Sequence, residues 1–116
     1  MNKLIEQIFE NFVVGGVRIP VVFMFYRGHG EPYVTYQLQD TDTVLNADNE
    51  IQNYVVYYDF SVYSKENFFP ILEAVKQKLK EAGFEWQPSK ESIDFYEPET
   101  GYYHRTLNFA YIKGEN

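Results

Sequence analysis

Few residues in this 116-residue chain are of a type that does acid, base or nucleophilic chemistry. There are two histidines and no cysteine, so a proton-transfer site would rest on His29 or His104, and a thiolate nucleophile is excluded. His29 lies between Gly28 and Gly30, in a turn setting, and His104 stands beside Arg105 within a strand-forming run. No partner for either is evident, and the plainer reading is a turn residue and a solvated strand residue.

The polar stretch Asp40, Asp42, Asn46, Asp48, Asn49, Glu50 spaces oxygen ligands as a calcium loop would. An EF-hand beginning at Asp40 needs Asp or Asn at its fifth position, Gly at its sixth and Glu at its twelfth, where this chain has Val44, Leu45 and Ile51. Gly15-Gly16 and Gly28-x-Gly30 lack the Gly-Lys-Ser/Thr or third glycine of nucleotide-binding loops and read as turns. The expectation is a protein with no catalytic residue, cofactor or metal.

Composition points the same way. Eleven Tyr and ten Phe are a heavy aromatic load that suits strands, cores and subunit contacts. A formal charge of −7 repels phosphate backbones, which argues against nucleic-acid binding and against tyrosines used as base-stacking platforms. The first ten residues include Lys3, Glu6 and Glu10, so neither a signal peptide nor a membrane span is expected, and the absence of cysteine fits an intracellular, soluble protein.

The elements that must position these residues follow from periodicity. Leu4, Ile5, Ile8, Phe9 and Phe12 recur at helical spacing, predicting a helix over residues 2–14 with Asn2 as N-cap and Gly15-Gly16 as its stop. Residues 21–26, Val-Val-Phe-Met-Phe-Tyr, predict a strand buried on both faces. Residues 33–39 predict a second strand, followed by a long polar loop or extended hairpin tip. From Tyr54 the period is two, with Tyr54, Val56, Tyr58, Phe60 and Val62 on one face of a third strand. Phe68, Ile71, Leu72, Val75, Leu79 and Ala82 mark an amphipathic helix capped by Ser64 or Asn67 and ended by Gly83. A C-terminal hairpin turns at residues 98–101, with Leu107, Phe109 and Tyr111 on one face. The sum is one α+β domain over residues 1–116, a mainly antiparallel or mixed sheet of about four to five strands with the N-terminal and central helices packed on it.

Charge separates along the chain. No Lys or Arg occurs between Arg27 and Lys65, while Asp40, Asp42, Asp48 and Glu50 fall in that interval. The central helix instead carries Lys76, Lys78 and Lys80, flanked by Lys65 and Lys90. These seven residues, four acidic and three on the helix, are the expected interface, in which one copy's acidic hairpin meets the next copy's basic helix; the plainer reading is a solvated helix face beside a solvated loop.

Residues 32–36, Pro-Tyr-Val-Thr-Tyr, then the acidic loop, the aromatic strand 54–63 and the helix 67–82 together resemble the tail terminator, or tail completion, proteins of long-tailed phages and prophages. The resemblance runs from the first helix to the final hairpin. It implies a homo-hexameric ring, formed through edge strands, the long hairpin and the central helix, that caps the tail tube and joins it to the head connector or stopper. It further implies location in the virion tail, or in the host cytoplasm during assembly, and a negative lumen through which DNA slides. The competing readings are a monomeric adaptor for a host or phage protein, and a ligand-binding domain with a pocket lined by Tyr57, Tyr63 and Tyr103.

Overall fold

The computed structural model describes residues 1–28, 32–45 and 51–114. Helix α1 spans Asn2–Ile8, shorter than the apolar spacing predicts, with Met1 rather than Asn2 at its N-cap. Asn11 then adopts a left-handed φ of 56°, which asparagine tolerates better than most residues, and the chain leaves the helix. Phe12 still points inward, but from this loop, its ring 5.1 Å edge-on from Phe9. Gly15 and Gly16 are not a helix stop. They form the two-residue turn between β1 (Val13–Val14) and β2 (Val17–Arg18), with φ of 58° and 79°. Two consecutive positive φ values are what a type I′ hairpin turn requires.

The run at 21–26 is not a central strand. Only Val21–Phe23 forms β3, which lies at the sheet edge and runs parallel to β4 (Tyr33–Leu45). Met24, at φ 60°, ends it, and Met24 and Phe25 are exposed. An apolar run reads the same in a central strand and at an edge carrying exposed aromatics, so composition does not separate the two.

Strand β4 continues well past the predicted end at Gln39. It pairs antiparallel with β5 (Ile51–Ser64) from Tyr33 opposite Tyr63 to Leu45 opposite Ile51, with a bulge between Leu38 and Asp40. Asp40 and Asp42 therefore belong to a strand, not to a loop, while Asp48 and Glu50 lie outside the described residues. On its other side β5 pairs with β8 (Tyr102–Gly114), from Asn53 opposite Gly114 to Ser64 opposite Tyr103. The outer edge of β8 takes two short strands, β6 (Glu85–Trp86) and β7 (Phe95–Glu97). The result is a six-stranded mixed sheet, ordered β3-β4-β5-β8-β6 with β7 also on β8, plus the separate β1-β2 hairpin. Two- and three-residue strands are too short to show a period, which is why the predicted sheet was smaller.

Helix α2 spans Phe69–Glu81. The N-cap is Phe68, without a side-chain cap, and neither Ser64 nor Asn67 holds that position; their oxygens instead close the turn before it, Asn67 Oδ1 accepting the Phe69 N–H at 3.1 Å and Ser64 Oγ the Glu66 N–H at 3.1 Å. The helix ends in a Schellman turn: Phe84 N–H reaches back to Leu79 O at 2.9 Å around Gly83, whose φ is 93°. Ile71, Leu72, Val75 and Leu79 on α2 bury against the sheet face formed by Val34, Tyr36, Tyr58, Phe60, Val62, Leu107 and Phe109, and Ile5 and Phe9 of α1 join the same core. Both helices thus serve one face of the sheet. The opposite face is built from Tyr33, Tyr57, Asp59, Tyr63, His104, Asn108 and their neighbours, because successive strand residues alternate sides.

Candidate assembly interface

The predicted acidic element is an open strand edge. β3 pairs with β4 only as far as Tyr36, and from residue 37 to 45 the outer edge of β4 meets no strand among the described residues. Asp40 and Asp42 are exposed there, opposite Tyr57 and Val55. Thr41 N–H donates to Asp40 Oδ1 at 2.8 Å, so one carboxylate occupies a backbone donor of its own strand.

The lysine element is less uniform than its sequence. Lys76 is half-buried, its Nζ 4.1 Å from the centre of the Trp86 ring and 3.7 Å from Glu73 Oε1. Such a cation over an indole face packs the helix against β6. Lys78 and Lys80 are exposed in the last turn of α2, where positive charge opposes the helix dipole favourably. The flanking lysines also rest on rings, Lys65 5.3 Å from Tyr102 and Lys90 4.5 Å from Tyr57. Lys76 and Lys80 border a groove with Glu85 and Trp86 of β6, and β5 and β8 separate β6 from β4. Asp40 and Asp42 are therefore on β4, while Lys76 and Lys80 lie beside β6 on the far side of the sheet, in a groove that also holds Glu73 and Glu85.

The helix-free face carries a feature that sequence reading missed. Tyr26, Tyr33, Tyr63, His104 and Phe95 form one row across the strands, with centroid separations of 4.5, 4.7, 5.0 and 5.2 Å and planes 13° to 28° apart. These separations match the distance between neighbouring strands, so the rings stand upright and stack face to face on each other. Tyr33, Tyr63 and His104 have both ring faces covered by neighbours in the row, with Tyr26 and Phe95 at its two ends. The row braces one strand against the next. Period-two alternation puts Tyr33, Tyr63, His104 and Phe95 on this face, and Tyr26 reaches it from the segment after β3; the pairing of β4, β5, β7 and β8 that lines them up is not visible locally.

His104 is thereby not a solvated strand residue. Its side chain is only 20% exposed, between Tyr63 and Phe95, with Nε2 3.0 Å from Glu97 Oε2. Burial pushes the Tyr33 phenol up to about 12, helped by Tyr63, Tyr102, Glu97 and Tyr26. Burial and then Glu97 raise Tyr63, partly offset by a hydrogen bond from Ser61. These phenols stay protonated across the neutral range and act as packing groups. Tyr57, Tyr63 and Tyr103 do not line a common pocket: Tyr57 and Tyr63 share the helix-free face, whereas Tyr103 pairs with Ser64 on the other and contacts Tyr96 at 4.7 Å. His29 lies outside the described residues.

A second unforeseen group is Glu91. Its carboxylate accepts from Arg105 Nη2 at 3.0 Å, from Arg105 Nε at 3.2 Å and from Trp86 Nε1. It ties the segment after β6 to β8, and Ser92 adds a reciprocal pair of bonds to Thr106. Residues 87–94 have no periodicity, so nothing local announces this lock. Among the described residues no three His, Asp or Glu side chains converge as a metal site, and no helix is long and apolar enough to cross a membrane. No model of a known protein family matches the chain, and no curated protein matches it at a significant level.

Proposed function

We propose that this protein is a non-enzymatic assembly component that joins copies of itself head to tail, as in the tail terminator proteins it resembles, to make a ring at the end of a phage tail tube. The observation that carries this reading is the unlike character of the two sheet edges. Exposed Asp40 and Asp42 mark the β4 side, and exposed Lys78 and Lys80 end the helix that packs beside β6. Unlike surfaces on one molecule favour a heterologous contact over a two-fold one, and heterologous contacts close into rings when the rotation permits. The ring would be a hexamer that meets the tube protein on one side and the head connector on the other, and the excess of acid over base would let DNA pass without adhering.

Light scattering and electron microscopy on the same sample test this. The expected outcome is a discrete oligomer with ring-shaped particles, weakened by added salt and by the double change Lys78→Glu, Lys80→Glu. Lys76 is left intact because it packs on Trp86. A strict monomer at high concentration and moderate salt would favour the monomeric adaptor instead.

A further inference from the structure

Strand β4 is 13 residues long, and among the described residues its outer edge is covered, by β3, only as far as Tyr36. Every residue from 37 to 43 is exposed. An uncovered edge is a row of main-chain donors and acceptors that another strand can occupy. The bonds to β3 show which groups of β4 face out. Val34 N–H donates to Pro20 O and Tyr36 O accepts the Met24 N–H, both at 2.9 Å, so residues 34 and 36 turn their peptide groups toward β3. Leu38 continues the alternation. The register shift between Leu38 and Asp40 then moves the outward set by one, to Thr41 and Thr43.

Two of the usual guards of such an edge are missing, since no Lys or Pro occurs from residue 33 to 53, and Thr41, Thr43 and Val44 are β-branched residues that favour strands. Two copies of this edge fit one another, because antiparallel pairing about a two-fold axis sets each outward donor against the other copy's acceptor. Asp40 stands against that pairing. Its Oδ1 accepts the Thr41 N–H at 2.8 Å, the donor that a ladder centred there requires. Charge opposes it as well. With Thr41 opposite Thr41, each Asp40 meets an Asp42 of the other copy, and with Thr41 opposite Thr43, Asp42 meets Asp42. Among the described residues no cation forms an ion pair with either carboxylate. Lys90 lies over the Tyr57 ring, and Lys113 stands opposite Tyr54 on the other face.

We infer that the β4 edge is a pairing surface for the same edge of a second copy, held shut by Asp40, whose carboxylate occupies the Thr41 amide and, with Asp42, repels its counterpart. Position 40 does what a charge elsewhere on the edge cannot, because its side chain both reaches the next residue's outward amide and carries the repulsion. The guard confines self-association to contacts elsewhere on the molecule. It operates whether or not those contacts build a ring.

The test uses the full chain carrying Lys78→Glu and Lys80→Glu, so that the charged contact proposed above does not contribute. In that background, adding Asp40→Ala and Asp42→Ala should strengthen self-association at least about tenfold in analytical ultracentrifugation, with slower amide exchange over residues 37–43. Asp40→Asn keeps an oxygen over the Thr41 N–H and should strengthen association less than Asp40→Ala. Thr41→Pro removes the outward donor, and Thr43→Lys puts like charges on the facing edges. Either one, added to the double-alanine chain, should return it to the behaviour of its background. All these positions are exposed, and melting temperatures check that each variant folds. The inference falls if the double-alanine chain associates no more than its background, or if its gain survives both Thr41→Pro and Thr43→Lys. Equal gains from Asp40→Asn and Asp40→Ala would overturn the part given to the Thr41 amide. A parent protein that stays monomeric overturns the ring and leaves these comparisons in force.

Discussion

The guanidinium of Arg105 reaches Glu91 through two nitrogens, Nη2 at 3.0 Å and Nε at 3.2 Å, and the Glu91 side chain is 3% exposed. A carboxylate so withdrawn from water is tolerated because three donor nitrogens reach it, two from Arg105 and one from Trp86. Replacing it with alanine leaves Arg105 with the more exposed Asp94 and removes the acceptor of Trp86 Nε1. Glu91→Ala should cost roughly 2 kcal/mol or more in urea unfolding, the range for losing a charged hydrogen-bond partner in a buried setting. Asp94→Ala, half-exposed, should cost less than about 1 kcal/mol. Equal effects would show that Glu91 is not the lock.

Alkaline pH should loosen the sheet through the tyrosine row. Tyr33 is raised from 10.0 to about 12, and Tyr63 is raised as well. The folded state therefore holds the phenolic proton more tightly than the unfolded chain. The resulting stability is present in full below pH 10 and is lost as pH rises from 10 towards about 12. Unfolding monitored alongside tyrosinate absorbance should show this loss, and Tyr33→Phe should diminish it.

Gly28 should resist substitution for the sake of a neighbour. A Cβ there meets the far end of the Tyr26 side chain, so Gly28→Ala must move that ring off Tyr33. The expected loss is about 0.5–1.5 kcal/mol, the worth of an aromatic pair. Tyr26→Ala should remove most of the effect of Gly28→Ala, which a double-mutant cycle on thermal stability reads directly.

The three helix lysines should part ways. Lys76→Ala should lower stability by about 0.5–2 kcal/mol through the lost contact with Trp86. Lys78→Ala, exposed at the helix end, should change stability by less than about 0.5 kcal/mol and act only on self-association. Thermal unfolding of the two single variants, beside their light scattering, separates packing from assembly.

Long periodic elements were legible in the sequence and short or partnered ones were not. The faces of β5, the stripe of α2 and the C-terminal hairpin all lie where period two or 3.6 puts them, because each buries enough side chains to leave a pattern. Helix α1 was overextended because Phe12 continues the helical spacing from a loop, and the glycine pair was misread because a helix stop and a type I′ turn demand the same residue. Of the expected interface, Asp40, Asp42, Lys78 and Lys80 are exposed, Lys76 is engaged, and Asp48 and Glu50 fall outside the described residues. The tyrosine row and the Glu91 lock depend on which strands become neighbours, and that information is not local.

The irregularity after Leu38 decides where two charges face. Leu38 lies opposite Tyr58 on the helix-bearing side, and uninterrupted alternation would send Asp40 and Asp42 to that same side. One uncounted residue, Gln39, inverts the parity, so both carboxylates stand opposite Tyr57 and Val55 instead. The extra residue is an uncharged amide, and excising Gln39 would set Asp40 directly after Leu38, still opposite Tyr57, so the bulge would go while each acid kept its side; turning them over would take two residues in place of Gln39 with the bulge retained.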